Sequence, residues 1–217
     1  MSSKPISATP PPTSIFKRWS EPERKASMDK ALEHWRQDQD VWIFGYGSLI
    51  WRPEFEFTES RMARLDGHHR ALCLWSRINR GTPELPGLVF GLEQGGHCTG
   101  KVFRIAAERV PETFEAVWVR EMSTGSYLPN WKSCQTEQGE VSALAFIINP
   151  ESPGYVQEPY EDDLIEIIMR ASGIYGPCVD YVMQTATALK EVGICDERLA
   201  KLSDRLQARI EATDQGN

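Results

Sequence analysis

The sequence predicts an α+β fold: a largely closed sheet with one helix inserted among its strands, followed by a helical C-terminal third. Three observations carry that prediction. Strand-like apolar patterns recur between Val41 and Ile148, one amphipathic helix interrupts them at Glu108–Met122, and three helical segments fill the remainder. At 217 residues, with 41% hydrophobic and 25% charged, the chain can bury a core as one domain without disulfide staples. That domain is expected over residues 41–213, with residues 1–40 as an N-terminal extension whose first part is disordered.

The extension opens on Pro5 and the triplet Pro10-Pro11-Pro12 among serines and threonines, a composition that does not pack. Charge rises after Ile15, and Ser27–Arg36 is expected as a short helix with Met28, Leu32 and Trp35 on one side, a strap over the domain. Val41–Phe44 reads as a strand that breaks at Gly45-Tyr46-Gly47-Ser48 before Leu49, Ile50 and Trp51 turn apolar again. Glycines flanking one tyrosine open the backbone, through positive φ or because something must come close. The stretch reads in two ways, as the floor of a small-molecule pocket or as a bulge or hairpin corner.

Glu54–Glu59 is expected as a loop and Met62–Ser76 as a strand with Ala71, Leu72, Cys73, Leu74 and Trp75 inside. His68 and His69 are neighbours, so on a strand they face opposite ways and cannot chelate one metal; they read as polar strand ends. Arg80–Gly87 is dense in turn formers and must be a loop. Strands follow at Leu88–Leu92 and Thr99–Ile105, joined by an expected hairpin turn at Gln94-Gly95-Gly96. After the helix come strands Tyr127–Cys134 and Val141–Ile148, then helices Asp162–Ala171, Cys178–Val192 and Asp196–Ile210, separated by glycines.

A net charge of −7 disfavours nucleic acid and anionic membrane as partners. Five scattered cysteines with no C-x-x-C pair suggest free thiols in a reducing compartment. Without a membrane-length apolar run or a signal-peptide core, the expected location is cytoplasmic.

Within the inserted helix Phe114, Val117 and Trp118 define the apolar stripe, and the next position in that series is Glu121. This carboxylate either frays into solvent at the helix end or is held against apolar walls. Burial and the negative helix end would raise its pKa and suit it to general acid/base work, while Arg120 points roughly 100° away round the helix. Other chemistries fail on spacing. Ile50 stands where G-x-G-x-x-G needs its last glycine, Tyr46 and Ile50 stand where a nucleophile elbow around Ser48 needs two, and there is no Walker lysine.

Taken together, Phe44-Gly45-Tyr46-Gly47-Ser48-Leu49-Ile50-Trp51, Arg80–Gly87, and Arg120-Glu121 followed by Gly125-Ser126-Tyr127 resemble the ChaC-type γ-glutamylcyclotransferases. The likeness runs from Val41 to the C-terminal helices. It departs at Gly125-Ser126, where the family usually has two glycines, and in residues 1–40, for which the resemblance supplies no placeable counterpart. The resemblance implies a small mixed β-barrel with flanking helices. It implies a lyase that cyclises the γ-glutamyl group of glutathione to 5-oxoproline, releasing cysteinylglycine, with no metal and no organic cofactor. Glu121 matches the family's acid/base, and Gly45, Tyr46, Gly47, Ser48, Leu49 and Ile50 match its substrate-binding loop. Tyr127 is a further wall or donor. Arg80 is either a contact for the substrate's glycine carboxylate or a solvated loop arginine. The alternatives are cyclisation of other γ-glutamyl peptides or amines, and a non-catalytic γ-glutamyl-binding protein.

Overall fold

A computed structural model describes residues 8–214, so the first half of the Pro-rich tail, residues 1–7, lies outside the described residues. The first long element is helix α1, Glu21–Ala31, which starts earlier than expected. The reason is a capping box: Glu23 N–H donates to Ser20 Oγ at 3.4 Å and Ser20 N–H donates to Glu23 Oε2 at 2.7 Å. The helix ends at Ala31, so Trp35 lies beyond it.

Five strands form a closed barrel in the order β1-β3-β2-β4-β5. They are β1 Val41–Gly45, β2 Glu59–Ser76, β3 Gly87–Ile105, β4 Tyr127–Thr136 and β5 Gly139–Ile148. β1 runs antiparallel to β3, from Val41↔Ile105 to Gly45↔Lys101, and parallel to β5 at Trp42↔Ala143 and Ile43↔Leu144. The barrel is therefore mixed, as expected. Helix α2, Val110–Glu121, comes after a 3₁₀ turn at Ala107–Arg109 and carries Pro111 in its first turn.

One expectation fails here. Gln94-Gly95-Gly96 is no hairpin turn, because β3 runs unbroken through it. A hairpin needs its two arms to pair with each other, whereas the second arm of β3 pairs with β1. Gly95 and Gly96, at φ 109° and 64°, instead give the strand a local left-handed kink, and Gly67 does the same in β2 at φ 83°. His68 and His69 consequently lie inside a long strand and not at its end. His69 Nδ1 reaches the Gly95 carbonyl at 3.1 Å.

The chain divides into two compact units. The first comprises Pro12–Ala71 and Phe90–Tyr155, hence α1, α2, β1, β4, β5 and much of β2 and β3. Its core is built on Ile43, Phe44, Leu65, Phe103, Phe114, Trp118 and Phe146, each essentially inaccessible to water. Cutting one such aromatic to alanine costs about 3–5 kcal/mol.

The second unit gathers Leu72–Val89 with the chain from Val156 onward. It holds helices α3 Glu161–Arg170, α4 Cys178–Glu191 and α5 Glu197–Asp214, with the short pair β6 Ser172–Gly173 and β7 Gly176–Pro177. This is the predicted helical third. The five cysteines form no disulfide; Cys73, Cys98, Cys134 and Cys178 are buried and Cys195 is exposed. Among the described residues no helix is long and apolar enough to cross a membrane.

Candidate active site

The glycine-flanked stretch leaves the end of β1 and turns at once into a 3₁₀ turn, Ser48–Ile50, whose Leu49 and Ile50 are buried. Of the two explanations for its glycines, close approach is the one realised at Gly45. A Cβ there would stand 3.0 Å from the Phe103 ring and 3.1 Å from Leu49 Cβ. The crowding is reciprocal, since a Cβ on Gly100 of β3 would fall 2.3 Å from the Gly45 carbonyl oxygen. Gly47 sits at negative φ, −131°.

The peptide between the glycines is pinned from two sides. Arg70, only 8% exposed, donates from Nε to the Tyr46 carbonyl at 2.6 Å and from Nη2 to the Thr99 carbonyl at 2.7 Å. The Tyr46 hydroxyl donates to the Phe146 carbonyl of β5 at 2.9 Å. Tyr46 therefore anchors the loop to the barrel wall as well as lining it. Tyr127, at the start of β4, is buried and donates its hydroxyl to the Phe90 carbonyl at 3.1 Å, with its ring edge-on to Phe146.

Glu121 is the last residue of α2, and its side chain is 16% exposed, so the reading as a fraying solvent carboxylate is excluded. Burial pushes its pKa above the ordinary 4.5; the Arg120 guanidinium opposes this and the nearby Glu54 carboxylate adds to it. The expected separation of Arg120 from Glu121 is overturned. Arg120 Nε lies 3.0 Å from Glu121 Oε1, because a long flexible side chain at a helix end folds back across the i, i+1 offset.

The other nitrogens of the same guanidinium hold the glycine loop and the segment Arg52–Glu54 beyond it. Nη2 donates to Ser48 Oγ at 2.8 Å, and Nη1 donates to the Arg52 carbonyl at 2.6 Å and to Glu54 Oε2 at 2.9 Å. Glu54 also pairs with Arg52, and it is the one non-glycine residue at positive φ, 59°, among the described residues. Arg120 is thus the physical link between the two halves of the motif, Ser48 and Glu121.

Arg80 is not a solvated loop arginine. It is 6% exposed within the second unit, where it donates to the Pro177 carbonyl at 3.2 Å and lies over the Tyr181 ring. Sequence reasoning missed Arg70, Glu54 and the bridging role of Arg120. Arg70 carried a signal: it is a cation directly preceding the apolar run Ala71–Trp75, where burial demands partners.

Known proteins resemble the chain in sequence and in fold. The model of the family described as ChaC-like protein matches residues 41–209. The chain belongs to the ChaC-like family. A protein of Escherichia coli K12 named glutathione-specific γ-glutamylcyclotransferase is 38% identical over 85% of this chain and 80% of its own length. A human protein named glutathione-specific γ-glutamylcyclotransferase 1 is 31% identical, covering 76% of this chain and 78% of its own. Among solved structures, a yeast γ-glutamyl cyclotransferase specific to glutathione superposes with a TM-score of 0.73 over 78% of this ChaC-like chain and 96% of its own, at 20% identity. That likeness establishes the γ-glutamylcyclotransferase fold for the barrel and its helices.

Proposed function

We propose that this ChaC-like chain is a γ-glutamylcyclotransferase that acts on glutathione, with Glu121 as its general acid/base and Gly45–Ile50 with Tyr127 as its substrate pocket. One observation carries the site assignment: through Arg120, Ser48 of the opened loop and the partly buried Glu121 are held on a single guanidinium. The named relatives at 38% and 31% identity support glutathione as the substrate.

The reaction is intramolecular, so the pocket's first task is to fold the γ-glutamyl head into a ring-like pose. The α-nitrogen attacks the γ-carbonyl carbon, the bond to the cysteinyl nitrogen breaks, and the protons shed by the ring nitrogen pass to the leaving nitrogen. Glu121, with its affinity for protons raised by burial, takes the proton from the α-ammonium and returns it to the leaving group. Backbone N–H groups at Gly47 and Ser48, where the 3₁₀ turn begins and lacks internal acceptors, are the donors for the developing oxyanion. The Ser48 hydroxyl, oriented by Arg120, acts as a binder of the α-carboxylate and not as a nucleophile. The Tyr46 phenol spends its proton on Phe146 and contributes a wall.

The substrate is a small peptide. Five thiols without a disulfide suit a reducing compartment, and we assign the enzyme to the cytoplasm. The test is to incubate purified protein with glutathione and measure 5-oxoproline and cysteinylglycine, with γ-glutamyl-alanine in parallel. Absence of product, or undiminished product from Glu121→Gln, sinks the proposal; equal turnover of γ-glutamyl-alanine moves the substrate to γ-glutamyl peptides in general.

A further inference from the structure

The N-terminal extension, which the family model does not reach, packs at Trp19 against the turn that comes after Glu121. Trp19 donates its backbone N–H to the Ser123 carbonyl at 2.9 Å. Its indole is packed against Gly125, where an added Cβ would stand 2.5 Å from Trp19 Nε1 and Cε2. Gly125 itself is left-handed, at φ 66°, so any side chain there would both strain the backbone and displace the ring.

Trp19 is not a loose side chain. It directly precedes the Ser20–Glu23 capping box, and Arg24 Nη1 donates to its carbonyl at 2.7 Å. At the far end of α1 the Trp131 Nε1 of β4 donates to the Ala31 carbonyl at 2.8 Å, so the extension is fastened at two places. On its other side the same turn is held by Asn149, whose Nδ2 donates to the Gly125 carbonyl at 3.2 Å and whose N–H donates to the Ser126 carbonyl at 2.9 Å.

Glu121 lies two residues before this turn. Helix α2 closes with Met122 N–H donating to the Trp118 carbonyl, and no further helical bond fixes the backbone beyond it. The last carbonyls of the helix, that of Glu121 included, have no helical donor, so the Ser123–Gly125 turn bounds the catalytic end of α2 on that side.

We infer that Trp19 is a positioning residue for Glu121: the extension buttresses the Ser123–Gly125 turn from outside and holds the carboxylate at its working distance from Arg120 and the glycine loop. This rests on the proposed role of Glu121. It makes the extension part of the catalytic apparatus, acting through the backbone and never touching substrate.

The experiment compares full-length wild type, Trp19→Ala, Trp19→Phe and Trp131→Phe, measuring kcat, KM and pH profile with glutathione, and the thermal midpoint of each. Trp19→Ala is expected to lower kcat about tenfold with KM little changed, since misplacing a catalytic group slows chemistry more than binding. Its pH profile should shift as well, and Trp19→Phe should restore most of the rate. Trp131→Phe loosens the extension far from the turn and should lower the thermal midpoint while leaving kcat unchanged. If Trp19→Ala keeps the wild-type kcat, or if the two tryptophan anchors lose activity in step with thermal stability, the inference is overturned. Should Trp19→Ala fail to fold, Ser20→Ala loosens the same residue from an exposed position, and an unchanged kcat there overturns it equally. A wild type without product would instead strike the proposed function, a result distinct from any of these.

Discussion

Arg120 and Glu121, adjacent on a helix and expected to diverge by about 100°, meet at 3.0 Å in an ion pair whose other arm holds Ser48. The same carboxylate feels Glu54, which shares the Arg120 guanidinium. Two charges of opposite sign therefore tune one titration. Arg120→Gln removes the contribution that lowers the Glu121 pKa, so the acidic limb of kcat/KM should move to higher pH. Glu54→Gln removes a contribution that raises it, so the limb should move to lower pH. Profiles of the three proteins measured side by side decide this. Shifts in the same direction, or none, would show that the limb belongs to another group.

Glu121→Gln should separate activity from stability. Turnover is expected to fall by about 10²–10⁴-fold, the usual contribution of a general acid/base. Stability should move the other way. The pKa of Glu121 is raised on folding, so between 4.5 and its folded value the native state binds more protons than the unfolded state. Ionised Glu121 therefore destabilises the fold above that window, and the penalty disappears below 4.5. Urea unfolding across pH should find the Gln variant more stable at neutral and alkaline pH, with the two proteins converging in acid.

Arg70 is a different kind of test, because it touches the loop's backbone from within the barrel. Its bonds to the Tyr46 and Thr99 carbonyls satisfy both while its own charge is nearly sealed from water. Arg70→Met leaves both acceptors without that donor and should cost about 1.5–3 kcal/mol in denaturant unfolding. The freed Tyr46 peptide should raise KM for glutathione more than it lowers kcat. A stability loss with unchanged KM would place Arg70 outside the control of the pocket.

The range of the forces involved decides how much of this is legible in the sequence. Apolar periodicity is local, so the strands, α2 and the C-terminal helices can be read from Val41 onward, and the stripe Phe114-Val117-Trp118 singles out Glu121. The kink at Gly95-Gly96 cannot be told from a hairpin, because the partner of Lys101–Ile105 is β1, far away in sequence. Arg120 departs from expectation for the same reason that makes arginine useful: its reach exceeds the angular rule that governs Cβ positions. The start of helix α1 is a different case, since apolar spacing misses it although the capping pair Ser20 and Glu23 stands in the sequence to be read.

Gly45 and Gly100 give the last test. Gly100→Ala would drive a methyl group to within 2.3 Å of the Gly45 carbonyl and 2.9 Å of the Phe44 ring. A carbonyl in the middle of a strand pair cannot swing aside, so β1 and β3 must separate where Gly45 faces Lys101, at the root of the substrate loop. The expected cost is about 1–3 kcal/mol, as for other overpacked core sites, together with a loss of activity. Gly139→Ala supplies the contrast. That glycine, at φ 108° at the start of β5, has open space around it, so alanine meets only backbone strain of about 1–2 kcal/mol. Denaturant unfolding should show comparable losses for both variants, while the glutathione assay should find turnover reduced in Gly100→Ala and retained in Gly139→Ala. Equal activity in the two would mean that the close approach of β3 to Gly45 shapes the fold but not the pocket.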